Sequence, residues 1–332
     1  TDEVGIDPPQ IDYTANQPGD IVLEIGEAGS FEAEESLTET PREVEREIYV
    51  FNHQGYVVPI TVKVPYTESV AKQALEYLVV DGPVTPHLPE GTRAVLPAGT
   101  EVEVNITESG TAIVDFSNEF ATYAPEDEQG ILEAITWTLT QFDAINDVVI
   151  WINGHPQDTM PVNHTPIAKK LSRKDGINVE VARGTHVTSS SSVTLYFKGE
   201  SPSGTFDYYV PVTRLIPKSD NLVLATVEEL IHGPEYGSGL YTDFLRSTEI
   251  LEASLSGQRA VVNFDEQFLR FSGDEMKASD SAVDSLVLSL TELDTVKEVQ
   301  VLVNGESNLI TFNGKDLSKP VTRSFKLNTT GF

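Results

Sequence analysis

The chain has 332 residues, 39% of them hydrophobic and 22% charged, enough for two or three domains with a sizeable core. Its 52 acidic against 22 basic residues leave a net charge of −30, a surface that repels phosphate backbones and anionic headgroups and so argues against nucleic-acid binding. Cysteine is absent, which excludes disulfides, thiolate metal sites and cysteine nucleophiles, and no apolar run reaches the ~18 residues a membrane-spanning helix requires.

The chain opens at Thr1-Asp2-Glu3 with no charged, apolar and small-residue signal pattern; this reads as a processed or trimmed end, with any export signal upstream. Residues 1–46 read as an acidic flexible tail, a spacer with Pro8-Pro9, Pro18-Gly19 and little apolar periodicity. A folded unit over 47–155 follows. Residues 48–51 and 56–64 predict two strands, and Pro59 places the second at an edge or a bulge, because proline cannot donate to a ladder. Residues 69–80 predict a helix with Ser69 as N-cap and Gly82-Pro83 as its stop. Three strands are expected at 93–96, 101–106 and 111–116. Then comes the best-patterned stretch, 129–154. Ile131, Ile135, Leu139 and Phe142 share one helix face, and Val148, Ile150 and Ile152 alternate as in a half-buried strand ending at Asn153-Gly154.

Residues 156–192 form a linker with a basic island, Lys169, Lys170, Arg173 and Lys174, and a Ser189–Ser192 run that reads as a flexible joint. A second unit, 193–305, then repeats the first. An offset of 151 residues pairs Ile135 with Leu286, Leu139 with Leu290, Phe142 with Leu293 and Asn153-Gly154 with Asn304-Gly305. Pro59 pairs with Pro211 at 152, and Phe116 with Phe264 at 148, so insertions fall in loops. So many matches in both periodicities mark an internal duplication. A basic extension, 306–332, closes the chain with Lys315, Lys319, Arg323 and Lys326. Each copy thus predicts an α+β unit of ββαβββαβ order, one sheet with two helices on one face, and the two copies are expected to pack about a twofold contact.

At this point the sequence resembles the GerMN-domain family of sporulation lipoproteins. The first copy carries YVVPITVKVP, AKQALEYLVVDGP, RAVLPAGT, GTAIVDFSNEF, ITWTLTQF and ING; the second carries YYVPVT, a helix ending HGP, GQRAVVNF, LVLSLTE and VNG. IDPPQ at 6–10 and LSRKDGIN at 171–178 also fit. The resemblance implies tandem domains similar to the ring-building modules of secretion and sporulation channels. It implies an extracytoplasmic protein, held by a lipid anchor upstream of this chain, in the intermembrane space around the forespore. The implied role is a scaffold for a transenvelope complex needed for spore formation and germination, with the extracytoplasmic domains of channel or ring proteins as partners. The alternative is a peptidoglycan-binding or peptidoglycan-modifying factor. The family brings no catalytic motif and no cofactor.

The residues themselves offer chemistry to weigh. Ser69-Val70-Ala71-Lys72 and Ser219-Asp220-Asn221 mimic two motifs of penicillin-binding enzymes, but Ser69 and Asp220 stand one repeat offset apart and N-capping accounts for both. Among the acids, Asp115 becomes Asn263 in the second copy, while Glu133 stays acidic as Asp284 but falls on the polar side of its helix; a solvated face is the simpler reading for both. No H-x-x-x-H or H-E-x-x-H is present; His155, Asp158 and His164 share a loop and read as surface residues rather than a metal site. Trp151, out of phase with Val148, Ile150 and Ile152, and its counterpart Leu302 should face away from the main core and mark an interface. Lys169, Lys170, Arg173 and Lys174 could serve an acidic partner, but the chain's own acids are the nearer expectation.

Overall fold

A computed structural model describes residues 42–323 and 326–329. The first copy runs β1 (Glu43–Asn52), β2 (Val57–Pro65), α1 (Val70–Glu76), β3 (Thr92–Arg93), β4 (Val102–Ile106), β5 (Thr111–Phe116), α2 (Glu128–Leu139), β6 (Asp147–Ile152) and β7 (His155–Pro156). β8 (Glu180–Val181) lies between the copies. The second copy runs β9 (Ser190–Glu200), β10 (Asp207–Pro217), α3 (Leu222–His232), β11 (Ile250–Ser256), β12 (Arg259–Phe264), β13 (Leu269–Ser272), β14 (Glu275–Ala278), α4 (Asp280–Leu290), β15 (Glu298–Val303) and β16 (Val321–Thr322).

The α+β class and, among the described residues, the two helices per copy stand. The single sheet does not: each copy has a hairpin sheet (β2-β1-β3 or β8-β10-β9) and a four-stranded sheet (β4-β5-β6-β7 or β11-β12-β15-β16), and the second copy adds the two-stranded β13-β14. The reason lies in α2. It buries Ile131, Leu132, Ala134, Ile135, Trp137 and Leu139, which point to all sides, and it packs on both β1 and β6. A helix apolar all round requires cover on two faces, and two sheets supply it.

Local chemistry explains the other departures. The strand read from 48 begins at Glu43, inside the stretch read as tail; the rest of that tail, 1–41, lies outside the described residues. α1 stops at Glu76 because Leu78 and Val80 bond to the segment Val95–Leu96 instead of continuing the helix. Ser69 sits at its N-cap position but makes no side-chain cap bond. α3 is capped by Asn221, whose Oδ1 accepts the Leu224 N–H (3.0 Å), so Asp220 is not the cap. Gly233, with φ 84°, ends α3 as expected. Ser190–Ser192 belong to β9, paired with Pro217, Ile216 and Leu215 of β10, and do not form a joint. The second copy is three residues shorter before Phe264 and three longer after it, where it carries the β13–β14 hairpin that has no counterpart strands in the first copy.

The described residues fall in one compact unit. In each four-stranded sheet a central pair runs parallel, β5 with β6 and β12 with β15. Asn153 and Asn304 take φ 49° and 48° before Gly154 and Gly305, which take 75° and 82°; asparagine and glycine are the residues that tolerate this left-handed backbone.

Candidate interface site

Two proline-bearing strand edges face each other where the copies meet. Pro59 in β2 and Pro211 in β10 have no N–H, so the two edges cannot run a full ladder directly. Two asparagines bridge them. Asn178 Nδ2 donates to the carbonyls of Val57 (2.8 Å) and Pro211 (2.7 Å), and its Oδ1 accepts the Val57 N–H (2.8 Å). Asn328 does the same with the copies exchanged: Nδ2 donates to Tyr209 (2.9 Å) and Pro59 (2.8 Å), and Oδ1 accepts the Tyr209 N–H (2.8 Å). Val57 and Tyr209 stand 152 residues apart, as Pro59 and Pro211 do, so the seam has the expected twofold character. A void of about 10 Å³ lies beside it, among Val58, Ile60, Tyr208 and Asn328.

The extensions also reciprocate. The Ile177 carbonyl accepts the Thr213 N–H (2.8 Å), and β8 runs parallel to β10. The Asn328 carbonyl accepts the Thr61 N–H (3.2 Å), the Leu327 carbonyl accepts Thr61 Oγ1 (2.6 Å), and Thr329 bridges Thr61 in parallel. The segment after the first copy therefore finishes a sheet of the second, and the segment after the second finishes one of the first.

An ionic cluster on the second copy takes in Arg173 from the first copy's extension. Glu292 accepts Arg323 Nη1 (2.5 Å), Tyr196 Oη (2.8 Å) and, more loosely, Arg173 Nη1 (3.3 Å). Arg173 also donates from Nε to Thr140 Oγ1 (3.0 Å) and stacks 4.3 Å over the Trp137 ring. Burial alone would raise the Glu292 carboxyl, but Arg323 and then Arg173 outweigh it and hold it below its usual range. The first copy has the neutral Gln141 at this position, bonded to the Glu47 carbonyl. Arg214, only 1% exposed, ties β8 to the second copy through Glu180 (2.6 Å), Glu229 (2.7 Å) and the Gly233 carbonyl (3.0 Å).

The island residues separate accordingly. Arg173 belongs to this ionic cluster, and Lys170 donates to Thr111 (2.8 Å) and pairs with Asp147 (3.4 Å), while Lys169 and Lys174 are exposed. Trp151 is half-buried on the outer face of its sheet, between Asp115 on β5 and Pro156 on β7. Leu302 holds the equivalent place on β15 beside Asn263 and is also half-buried.

The acids are structural. The Asp115 carboxylate accepts the Gly154 N–H (2.9 and 3.0 Å), and Asn263 accepts the Gly305 N–H (2.9 Å), so the turn needs an oxygen and not a charge. Lys72, of the S-x-x-K mimic, is engaged by Glu103 (2.7 Å). Among the described residues no three His, Asp or Glu side chains converge as a metal site would require.

Glu133 is not on a solvated face. It is buried, and Oε2 accepts the N–H of Asn178 (2.9 Å), the seam asparagine. Burial raises its carboxyl to about 6 against the pull of that N–H and of Gln129. Its counterpart Asp284 is raised too, again by burial first, despite Lys315. Sequence reading passed over Glu128. It accepts Tyr123 Oη (2.7 Å) and the N–H groups of Asn163 (2.7 Å) and Thr165 (2.8 Å). Burial works against it, but these donors hold it at about 2. Asp280 grips the matching loop through Thr311 (2.5 Å) and the Asn313 N–H (3.0 Å). An acid opening the second helix in both copies was the available signal.

These two carboxyls carry opposite linkage. Glu128, depressed, contributes stability that is full above its ordinary 4.5 and is lost as pH falls toward 2. Glu128→Gln should lower the unfolding free energy by about 2–3 kcal/mol at pH 7 and much less at pH 2.5, read by urea titration. Glu133, raised, favours the fold below 4.5 and loses that contribution as pH rises through 6. Glu133→Gln keeps an acceptor for Asn178 and should add about 1–2 kcal/mol at pH 7 and nothing at pH 4.

Comparison with known proteins completes the picture. A family model described as Germane, sporulation and spore germination, matches residues 47–158 and 194–309. The chain is similar to the spore germination protein GerM of Bacillus subtilis (strain 168), with 43% identity over 334 aligned residues, covering 98% of this chain and 91% of that protein. It is also similar to the solved tandem GerMN domains of the sporulation protein GerM from Bacillus subtilis, at 45% identity and a TM-score of 0.81, covering 86% of this chain and all of that one. The duplication, the two-sheet copies and these matches agree: the chain belongs to the Germane family of sporulation and spore germination proteins, in the tandem-domain form found in GerM.

Proposed function

We propose that this protein is a non-enzymatic assembly factor, an extracytoplasmic scaffold of a transenvelope complex between mother cell and forespore. It is held to the membrane by a lipid attached upstream of this chain and is required for spore formation and germination, in keeping with the names of its relatives. The observation that supports this reading most is the reciprocal seam. Two duplicated domains spend their extensions on holding one another, which fixes the spacing of two outward sheet faces. Those faces, at Trp151 and Leu302 with Lys169, Lys170 and Lys174 nearby in sequence, are the surface we assign to the extracytoplasmic domains of channel or ring proteins. Arg173 is spent within the chain.

The test is affinity capture of the full-length lipidated protein from crosslinked sporulating-cell membranes. Enrichment of channel or ring-protein domains, reduced several-fold by Trp151→Ser with an unchanged melting temperature, supports the assembly role. Recovery of wall fragments or wall enzymes alone overturns it in favour of a peptidoglycan-directed factor.

A further inference from the structure

Three asparagines in this chain precede glycine: Asn153, Asn304 and Asn313. That pairing is chemically reactive. The glycine nitrogen has no adjacent side chain to shield it, so it can attack the asparagine side-chain carbonyl and close a five-membered imide. The attack requires two things. The asparagine must turn until its Cγ meets that nitrogen, and the nitrogen must give up its proton.

The fold opposes both steps at two of the three pairs. Asn153 and Asn304 are held in the left-handed conformation, with their own N–H groups bonded to the carbonyls of Phe116 (2.9 Å) and Phe264 (2.8 Å). The nitrogens that would attack are tied to a neighbouring strand. Gly154 N–H donates to the Asp115 carboxylate on β5, and Gly305 N–H donates to Asn263 Oδ1 on β12. At Gly154 the negative charge also opposes the amide anion that attack requires. Asn304 is held further by its Nδ2, which donates to Glu266 (3.3 Å).

The third pair is exposed at the tip of a turn. Asn313 lies outside the left-handed region, and its side-chain amide has no hydrogen-bond partner among the described residues. Gly314 N–H donates to the Thr311 carbonyl (3.0 Å) within the same turn, so opening that one turn frees both reacting groups. The first copy builds the matching loop with Asn163, whose N–H Glu128 holds as Asp280 holds that of Asn313. There the next residue is His164, at φ 57°, where the second copy has Gly314 at φ 83°. The imidazole side chain shields the nitrogen, so the first copy lacks the reactive pair.

We propose that Asn313 is a site of spontaneous deamidation, a one-way chemical mark carried by the second copy alone. Gly314 N loses its proton to solvent and bonds to Asn313 Cγ; the Cγ–Nδ2 bond breaks, and Nδ2 takes up a proton and leaves as ammonia. Water then opens the imide at either carbonyl, and residue 313 becomes aspartate or isoaspartate. The product bears on the fold, because Asp280, the first residue of α4, holds this loop through Thr311 Oγ1 and the Asn313 N–H. A new carboxylate beside Asp280 repels it, and isoaspartate adds a methylene to the backbone between that N–H and Gly314. The grip on the start of α4 loosens, and with it the bonds that join Ala278 to Ile310 and Phe312. The proposal does not depend on the assembly role.

The experiment incubates the full chain at mildly alkaline pH, folded and in urea, and follows each asparagine by peptide mass spectrometry with enzymatic labelling of isoaspartate. In the folded protein, deamidation at Asn313 should run about ten-fold or more ahead of Asn153 and Asn304; in urea the three should react at similar rates, since the fold no longer separates them. Gly314→His copies the first loop, meets open space around its new Cβ, and should abolish the reaction. His164→Gly should make Asn163 reactive. Asn313→Asp should speed exchange of the Ala278 and Phe312 amides and leave those of α2 unchanged. Deamidation led by Asn153 or Asn304, no product at Asn313 while the urea-unfolded chain reacts, continued reaction in Gly314→His, an inert Asn163 in His164→Gly, or unchanged exchange in Asn313→Asp overturns the proposal.

Discussion

Replacing Glu292 with alanine lowers the unfolding free energy by about 2–4 kcal/mol at pH 7, and replacing it with glutamine costs about half of that. The alanine variant leaves Arg173 and Arg323 facing each other without the carboxylate that separates them, and it deprives Tyr196 of its acceptor. The figure stays below the full cost of breaking a buried pair because Arg173 and Arg323 keep 28% and 24% of their side chains exposed. Glutamine keeps one oxygen for Arg323 and Tyr196, but loses the charge and turns the oxygen facing Arg173 into an NH2 donor. Guanidinium titrations of both variants check this, and the alanine variant should also lose part of the acid sensitivity, since a depressed carboxyl yields its stabilisation as pH falls below 4.5. An alanine variant as stable as the parent would mean that the ionic cluster is incidental to the pairing.

Removing both seam asparagines has an effect of similar size but a different signature. Each side chain satisfies three backbone groups that the prolines prevent from pairing across the seam. Asn178→Ala with Asn328→Ala should cost about 3–5 kcal/mol, and the single changes about 1–3 each, because orphaned buried donors and acceptors carry their full desolvation cost. The sum need not be additive, since both act on one seam. Hydrogen exchange separates the two: the Val57 amide should exchange at least ten-fold faster in the Asn178 variant and the Tyr209 amide in the Asn328 variant, while amides within α2 and α4 change little. Uniform acceleration everywhere would show global destabilisation instead.

Much of this was legible in the sequence, and the parts that were not share a cause. Periodicity exposed the duplication, the second helix of each copy and the strand after it, because those elements bury one stripe at a fixed period. Pro59 announced an edge correctly, since a missing N–H is a local fact. What covers that edge is not local: Asn178 and Asn328 lie 33 to 269 residues from the groups they bridge, and nothing in KDGIN or FKLNT announces a clasp. Glu133 looked solvated because a helical wheel assigns an acid to the polar side; the extension that follows its own copy folds back over that side. The Ser189–Ser192 run looked like a joint by composition, yet pairing with β10 makes Ser190–Ser192 strand, and Ser189 ends a short 3-10 turn before it. Lys170 and Arg173 read as internal partners for the chain's acids, and that holds, but only the fold names Asp147 and Glu292.

Cutting the chain between the copies tests the central claim most directly. Arg183 and Gly184 are exposed in the turn that joins the extension to β9, so a specific protease site placed there severs the covalent link without touching the seam. If the reciprocal extensions hold the copies together, the cut protein elutes and scatters as the intact one at micromolar concentration, and it separates into two species only when Asn178 and Asn328 are also replaced. Two independent fragments from the cut parent protein would show that the tandem is joined by its linker alone, and the reading of this chain as one fixed two-domain body would fall.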